Sequence, residues 1–315
     1  MLASTYQKVV IVTRKTMLDE LVERHGTRDQ AAFLLKQRGQ SIDDVEDAHR
    51  QYTDALKKLK AAIPSSVRHQ IVERNFLPNF LFGPHDLVVT LGQDGLVVNT
   101  AKYLQAQPIV AFNPDPSRFD GVLIPFTMNS AKASIAAALY DKLPLKQITM
   151  ARARLDDGQT LDAVNDLFVG IQGHASARYQ LGFRKKTEEQ SSSGIIISTG
   201  AGSTGWFRSI VTGANGVAGG FVEQKKLVDF KDKYRFDMEA NELRFSVREP
   251  FISNTSKAEM IYGRIQGRDT LEIISRMSQR GIIFSDGMEA DFLKFESGMR
   301  AKITVAQRKV HLFWK

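Results

Sequence analysis

The chain has 315 residues, 43% of them hydrophobic and 25% charged, which predicts a globular protein with a sizeable core and, from its length, two domains. It contains no cysteine, which excludes disulfides, thiolate metal sites and a cysteine nucleophile and fits a reducing compartment. The formal net charge is +8, yet Lys and Arg are scattered: the clusters at Lys57-Lys58-Lys60, Arg184-Lys185-Lys186 and Lys225-Lys226 lack the interleaved aromatics of a stacking platform, so a solvated surface and no nucleic-acid partner are expected.

The N-terminal residues enter a strand-like run with no charged leader, apolar core and cleavage site, and no apolar run reaches membrane-spanning length. A cytoplasmic protein with no membrane partner is the expectation. Val9-Val10-Ile11-Val12-Thr13 reads as a first buried strand. Residues 16–62 are helical in pattern, with Ser41 and the acids after it marking a helix start and Pro64 with Ser65-Ser66 marking the stop. Ile71 to Phe82 is apolar but irregular, and Gly83-Pro84 ends it.

Leu87 to Leu91 is an apolar run ending in Gly92-Gln93-Asp94-Gly95, after which an apolar pattern resumes at helical spacing through Val97, Val98 and Ala101. This is a strand, a glycine turn and a helix, a place where backbone N–H groups meet a phosphate at a strand's carboxyl end. Asp94 stands beside that position or caps the helix. Pro108 to Phe112 reads as a second buried strand leading into Asn113 to Gly121, a loop given its shape by two prolines and a final Asp-Gly. Asn129 to Asp141 is an Ala-rich helix, and Pro144 marks a boundary.

Beyond it the pattern turns β-rich, with short strands at 147–155, 166–170, 175–182, 194–198, 242–247, 271–275, 281–284 and 301–305; Ser191-Ser192-Ser193 reads as a turn. Gly200-Ala201-Gly202-Ser203-Thr204-Gly205 matches G-x-G-x-x-G between the strand Ile195-Ile196-Ile197 and a helical run from Trp206. A dinucleotide oxidoreductase is disfavoured, because the cluster lies deep in the β-rich half and only Glu223, between glycines and Lys225-Lys226, stands where an acid is needed. There is no Walker A pattern, no G-x-S-x-G elbow and no H-E-x-x-H, and no metal site is expected from His spacing.

Taken in order, Gly92-Gln93-Asp94-Gly95, Asn165-Asp166 and Ser198 to Trp206 resemble the three marks of the NAD kinase family: a Gly-Gly-Asp-Gly-Thr turn, an Asn-Glu or Asn-Asp pair, and a Thr-Pro-Thr-Gly-Ser-Thr-Ala-Tyr-like segment. The mitochondrial-type branch is the more similar, through its Asn-x-Asp-Pro-x-Arg-x-x-Gly loop at Asn113 to Gly121, with Ser246 to Pro250 and Ser285-Asp286-Gly287 as further counterparts. The resemblance implies an α/β nucleotide-binding domain (1–142) and a β-rich dinucleotide-binding domain (143–315), the last strands being candidates to return to the first. It implies phosphoryl transfer from ATP, with Mg2+, to the 2′-hydroxyl of the adenosine ribose of NAD, giving NADP, in a homo-oligomer whose partners are small nucleotides.

Residue by residue, the resemblance makes Asp94 the catalytic aspartate and puts Gly92, Gln93 and Gly95 near phosphates. It places Asn113 and Arg118 in the loop, Asn165 and Asp166 at the ribose or nicotinamide, and Ala201, Ser203, Thr204, Gly205 and Trp206 around the dinucleotide. The departures are Gln93 for the second glycine and Leu96 for the threonine. Either the turn accepts a β-carbon at Gln93, or donor binding is impaired and the chain is a non-catalytic NAD(P)-binding or regulatory relative.

Overall fold

A computed structural model describes residues 4–221 and 233–315. Glu223 and Lys225-Lys226 lie outside the described residues. The chain divides into two compact units, Met1–Lys146 with His311–Lys315, and Gln147–Val310.

The first unit runs β1 (Lys8–Thr13), α1 (Met17–His25), α2 (Arg28–Gln37), α3 (Ile42–Ala62), β2 (Arg68–Glu73), β3 (Asp86–Leu91), α4 (Asp94–Ala101), β4 (Ile109–Asn113), β5 (Phe126–Thr127) and α5 (Ala131–Leu139). Its strands pair in parallel in the order β4-β3-β1-β2, with β5 and the C-terminal Leu312 alongside β4. Every residue of β3 and β4 is buried, as strands covered on both faces must be. Val9, Ile11, Leu87, Val89 and Phe112 meet Tyr52, Leu59 and Ile135 of α3 and α5. Because side chains alternate along a strand, Val10, Val12 and Val88 face the other side, where α4 packs on β1 and β3.

The helix start marked by Ser41 is where α3 begins, while the helical stretch 16–62 is divided into α1, α2 and α3. Thr16 and Asp19 form a reciprocal capping box at α1, and Ser41 accepts from Asp43 N at the start of α3, each cap contributing about 1 kcal/mol. Edge strand β2 was not legible, because only Val72 among its residues is buried and the exposed Arg68, His69 and Gln70 break any apolar signal.

The second unit continues with β6 (Leu145–Leu155), β7 (Thr160–Ala163), β8 (Asp166–Ile171), β9 (Ala177–Phe183), β10 (Lys186–Ser192), β11 (Ile195–Ser198), α6 (Trp206–Gly219), β12 (Glu242–Val247), β13 (Tyr262–Gln266), β14 (Leu271–Ser275), β15 (Gly281–Ser285), β16 (Met288–Lys294) and β17 (Arg300–Phe313). One antiparallel layer contains β10-β9-β14-β17 with β6 and β7; the other is β13-β12-β11-β8-β15-β16. Between them lies the main core, with Tyr179, Leu181 and Ile303 from one layer against Leu167, Ile197 and Phe245 from the other. The alternate residues Phe168, Ile196, Ile282 and Phe284 form the opposite face, covered by Trp206 and Ile210 of α6.

Three sequence expectations are corrected here. Ser191 and Ser192 end strand β10 rather than forming a turn, and Ser192 Oγ lies 2.7 Å from the buried Tyr179 Oη, so a polar strand face disguised the element. The last strand does not stop at Val305 but continues to Phe313 through Arg308 and Lys309. Strands β7, β13 and β16 were also missed, being short or rich in charged and polar residues.

Candidate active site

In the first unit, Gly92 and Gln93 join the buried end of β3 to α4. Gly92 N donates to Phe112 O at 3.1 Å, locking the turn onto β4. A β-carbon on Gly92 would stand 2.9 Å from Leu96 Cδ2, so the glycine makes room for a leucine that is itself 3% exposed. Gln93 is the N-cap, with φ −86° and ψ 170°. That is extended backbone open to any L-residue, so the turn tolerates the β-carbon of Gln93 without strain. Gly95 is exposed and a β-carbon there would meet nothing within 4 Å.

Asp94 is the first residue of α4, yet its carboxylate does not cap that helix. Its oxygens accept the backbone N–H groups of Val122 at 3.0 Å and Leu123 at 2.7 Å. The aspartate therefore fastens the far end of the loop that begins at Asn113. Inside that loop, buried Asn113 donates from Nδ2 to Phe119 O at 2.8 Å and accepts Asp115 N at 2.9 Å. Gly121 closes it at φ +66°, where a β-carbon would fall 2.2 Å from Ile124 Cγ1. Arg118 Nε lies 3.4 Å from Asp115 Oδ2, and its side chain is half-exposed. Burial pushes Asp115 up, but hydrogen bonds from the side chain and backbone of Ser117 and from Gln51, with the charge of Arg118, hold its carboxyl below the usual aspartate value. Buried Tyr52 of α3 completes this end of the sheet: its Oη accepts Arg14 N and donates to Leu91 O, both at 3.1 Å. Of the expected residues in this unit, the structure thus brings Gly92, Gln93, Asp94 and Gly95 together in one turn, and links Asp94 to the loop carrying Asn113 and Arg118.

In the second unit, the matched pair and the matched glycine segment form another cluster. Thr199 N donates to Asn165 O at 2.9 Å, and Thr199 Oγ1 donates to Val164 O at 2.5 Å. A β-carbon on Gly202 would lie 2.0 Å from Asn165 O, and one on Gly200 would lie 2.1 Å from Asp237 O. These two glycines permit backbone to approach backbone. Because β11 lies antiparallel to both β8 and β12, the G-x-G-x-x-G segment is not part of a parallel βαβ unit.

Ala201 and Ser203 are buried, and the Ser203 hydroxyl donates to Gly200 O at 2.7 Å. Thr204 and Gly205 lie nearer the surface at the start of α6. Trp206 stacks on Phe168 with ring centroids 5.8 Å apart, and Arg248 sits 5.4 Å from the centre of the same ring system. Trp206 also lines a cavity of about 1300 Å³ with Phe207, Ile210, Arg248 and Tyr262.

Asp286 organises this second cluster and was quoted from the sequence only as part of a matched tripeptide. It sits at φ 57° just after β15, and its carboxylate accepts three successive backbone N–H groups: Val164 at 3.2 Å, Asn165 at 2.7 Å and Asp166 at 3.3 Å. Asp286 N donates in return to Asp166 O at 2.9 Å. Burial raises the Asp166 carboxyl to about 7, and the negative charge of Asp286 adds to the rise. The Asp-Gly pair after an apolar strand was the available signal for a turn; that its acid clamps a segment more than a hundred residues earlier needed the tertiary structure.

No protein-family model matches the sequence, and no curated protein matches it. Solved structures that it resembles include an NADH kinase and an NAD kinase. Yeast NADH kinase, solved with NADH, aligns at a TM-score of 0.63 and 13% identity, covering 98% of this chain and 84% of that one. NAD kinase from Archaeoglobus fulgidus, solved with ATP, aligns at a TM-score of 0.57 and 15% identity, covering 97% and 93% respectively. The α/β unit with its β-rich companion is therefore the fold of these kinases over nearly the whole chain. No helix among the described residues is long and apolar enough to cross a membrane.

Proposed function

We infer that the chain transfers a phosphoryl group from ATP to the 2′-hydroxyl of the adenosine ribose of NAD, forming NADP. The observation that carries this is Asp94 at the carboxyl end of a buried parallel strand, beside a glycine turn, in a fold shared with NAD and NADH kinases. A carboxylate there is suited to orient the hydroxyl and take its proton, while positioning and charge neutralisation do the remainder. The unstrained backbone of Gln93 supports the reading, since it removes the need for glycine at that position. Magnesium enters this scheme with the donor; among the described residues no three His, Cys, Asp or Glu side chains converge on a metal position. Asn165, Asp166 and the Thr204 to Trp206 segment are the residues proposed to hold the dinucleotide.

One observation favours a second reading, that of a non-catalytic dinucleotide-binding relative. Both oxygens of Asp94 already accept backbone N–H groups, which suits a purely structural aspartate. Incubation of the purified protein with ATP, magnesium and NAD, with NADP quantified, separates the two. NADP formation abolished in Asp94→Asn supports the kinase; NAD binding without turnover, also with NADH and other donors tried, supports the relative.

A further inference from the structure

Strand β2 stands at the end of the sheet order, and among the described residues it pairs with β1 alone. Its other side is open: Arg68, His69, Gln70 and Ile71 are all exposed, Ile71 at 41%. The ladder to β1 runs from Arg68 to Glu73 without a register shift, and β2 contains neither proline nor lysine. Bulges, prolines and lysines are the usual devices that keep an edge from pairing, so these six residues are an unblocked template for a further strand.

The side chains decide which strand fits. Register with β1 puts His69 beside Val9, Ile71 beside Ile11 and Glu73 beside Thr13, so these three share the sheet face that α3 covers. There Ile71 lines a cavity of about 760 Å³ with Tyr52 and Leu56 of α3 and with Phe76, which is itself 63% exposed. The edge therefore carries an apolar notch with an imidazole on one side of Ile71 and a carboxylate on the other. Neither His69 nor Glu73 makes a side-chain hydrogen bond or ion pair among the described residues.

A second copy of β2 answers both features. Two identical antiparallel neighbours are related by a two-fold axis normal to the sheet, which keeps each residue on its own face. Because side chains alternate, opposed residues must then be an even number apart, and this excludes Arg68 opposite Glu73. An axis at Ile71 sets Ile71 against Ile71 and His69 against Glu73 on both sides, an apolar contact between two donor–acceptor pairs. An axis at Gln70 or Val72 opposes Ile71 with His69 or Glu73 instead.

We propose that β2 pairs with β2 of a second copy of this chain across a two-fold axis at Ile71, joining two first units edge to edge in one continuous sheet. The lack of any natural cysteine makes the test specific. In this pairing the two Ile71 Cα atoms lie about 4.5–5.5 Å apart, within the span of a disulfide, whereas the two Arg68 Cα atoms lie about 20 Å apart. Under mild oxidation the whole chain carrying Ile71→Cys is expected to form at least tenfold more covalent dimer than Arg68→Cys, read on non-reducing gels. Both positions are exposed, so neither substitution disturbs the core. In sedimentation, Glu73→Lys is expected to weaken association at least tenfold, and His69→Glu in the same chain to restore it to within threefold of wild type. Equal cross-linking of the two cysteine variants overturns the proposal, as does a wild-type assembly that forms while Ile71→Cys gives no cross-link. A chain that stays monomeric, or a double variant no tighter than Glu73→Lys alone, overturns it as well.

Discussion

Asp94 Oδ1 accepts the backbone N–H of Leu123 at 2.7 Å, joining the turn after β3 to a loop 29 residues further along the chain. With the second bond to Val122, the same carboxylate proposed to serve chemistry also shapes the loop beside it. Asp94→Asn retains one acceptor oxygen and presents an amide to the other N–H, so a loss of about 1–3 kcal/mol is expected in denaturant unfolding. NADP formation should fall at least a hundredfold, well beyond what that loss of stability produces. An unchanged rate in a destabilised variant would make Asp94 structural.

Gln93 provides a complementary test. Since its φ is −86°, Gln93→Gly removes no strain and mainly loosens the unfolded chain, at a cost of about 0.4–1 kcal/mol. Turnover is expected to stay within threefold of wild type. A large gain in steady-state rate would mean that the side chain obstructs the donor.

Asp286 accepts three charge-assisted hydrogen bonds from the turn that carries Asn165 and Asp166. Asp286→Ala leaves those N–H groups without that acceptor, and a destabilisation of about 3 kcal/mol or more is expected, together with weaker NAD binding by calorimetry. Loss of stability with NAD affinity intact would separate the turn from the ligand.

Asp166 gives the protein a pH dependence of known sign. Its native pKa, about 7, lies above the ordinary aspartate value, so the folded state holds a proton that the unfolded chain releases between about pH 4 and 7. Its contribution to stability is fully present below about pH 4, declines as pH rises towards 7, and is constant above that. Each unit of difference corresponds to about 1.4 kcal/mol. Unfolding midpoints at pH 5 and pH 8 should differ in the wild type, and Asp166→Asn should reduce that difference, raising stability at pH 8. An identical pH profile in the variant would assign the titration elsewhere.

The glycines divide by what surrounds them. Gly202→Ala would drive a β-carbon to 2.0 Å from Asn165 O and should destabilise the chain by more than about 2 kcal/mol, whereas Gly95→Ala meets nothing within 4 Å and should be nearly neutral. Thermal unfolding of the two variants checks the contrast.

Much of the fold was legible because burial leaves a local trace. Leu87 to Leu91 and Ile109 to Phe112 are continuous apolar runs because both faces of a parallel strand are covered, and Thr16 and Ser41 act within three residues of where they stand. Polar edge and layer strands such as β2 and β10 leave no such trace: their pairing partners are supplied by distant backbone, and the pattern of side chains does not reveal them.

The sequence by itself determined the two kinds of structure, the glycine turn at Gly92 to Gly95 and the ordered motifs that single out Asp94, Asn165 and Asp166, since all of these are local patterns of residue type. Only the tertiary structure decided that Asp94 holds Val122 and Leu123 and that Asp286 clamps the turn at Val164 to Asp166. The reason is that hydrogen bonds and burial depend on which groups the folded chain brings within about 3 Å, and that proximity is not encoded by any neighbouring residue.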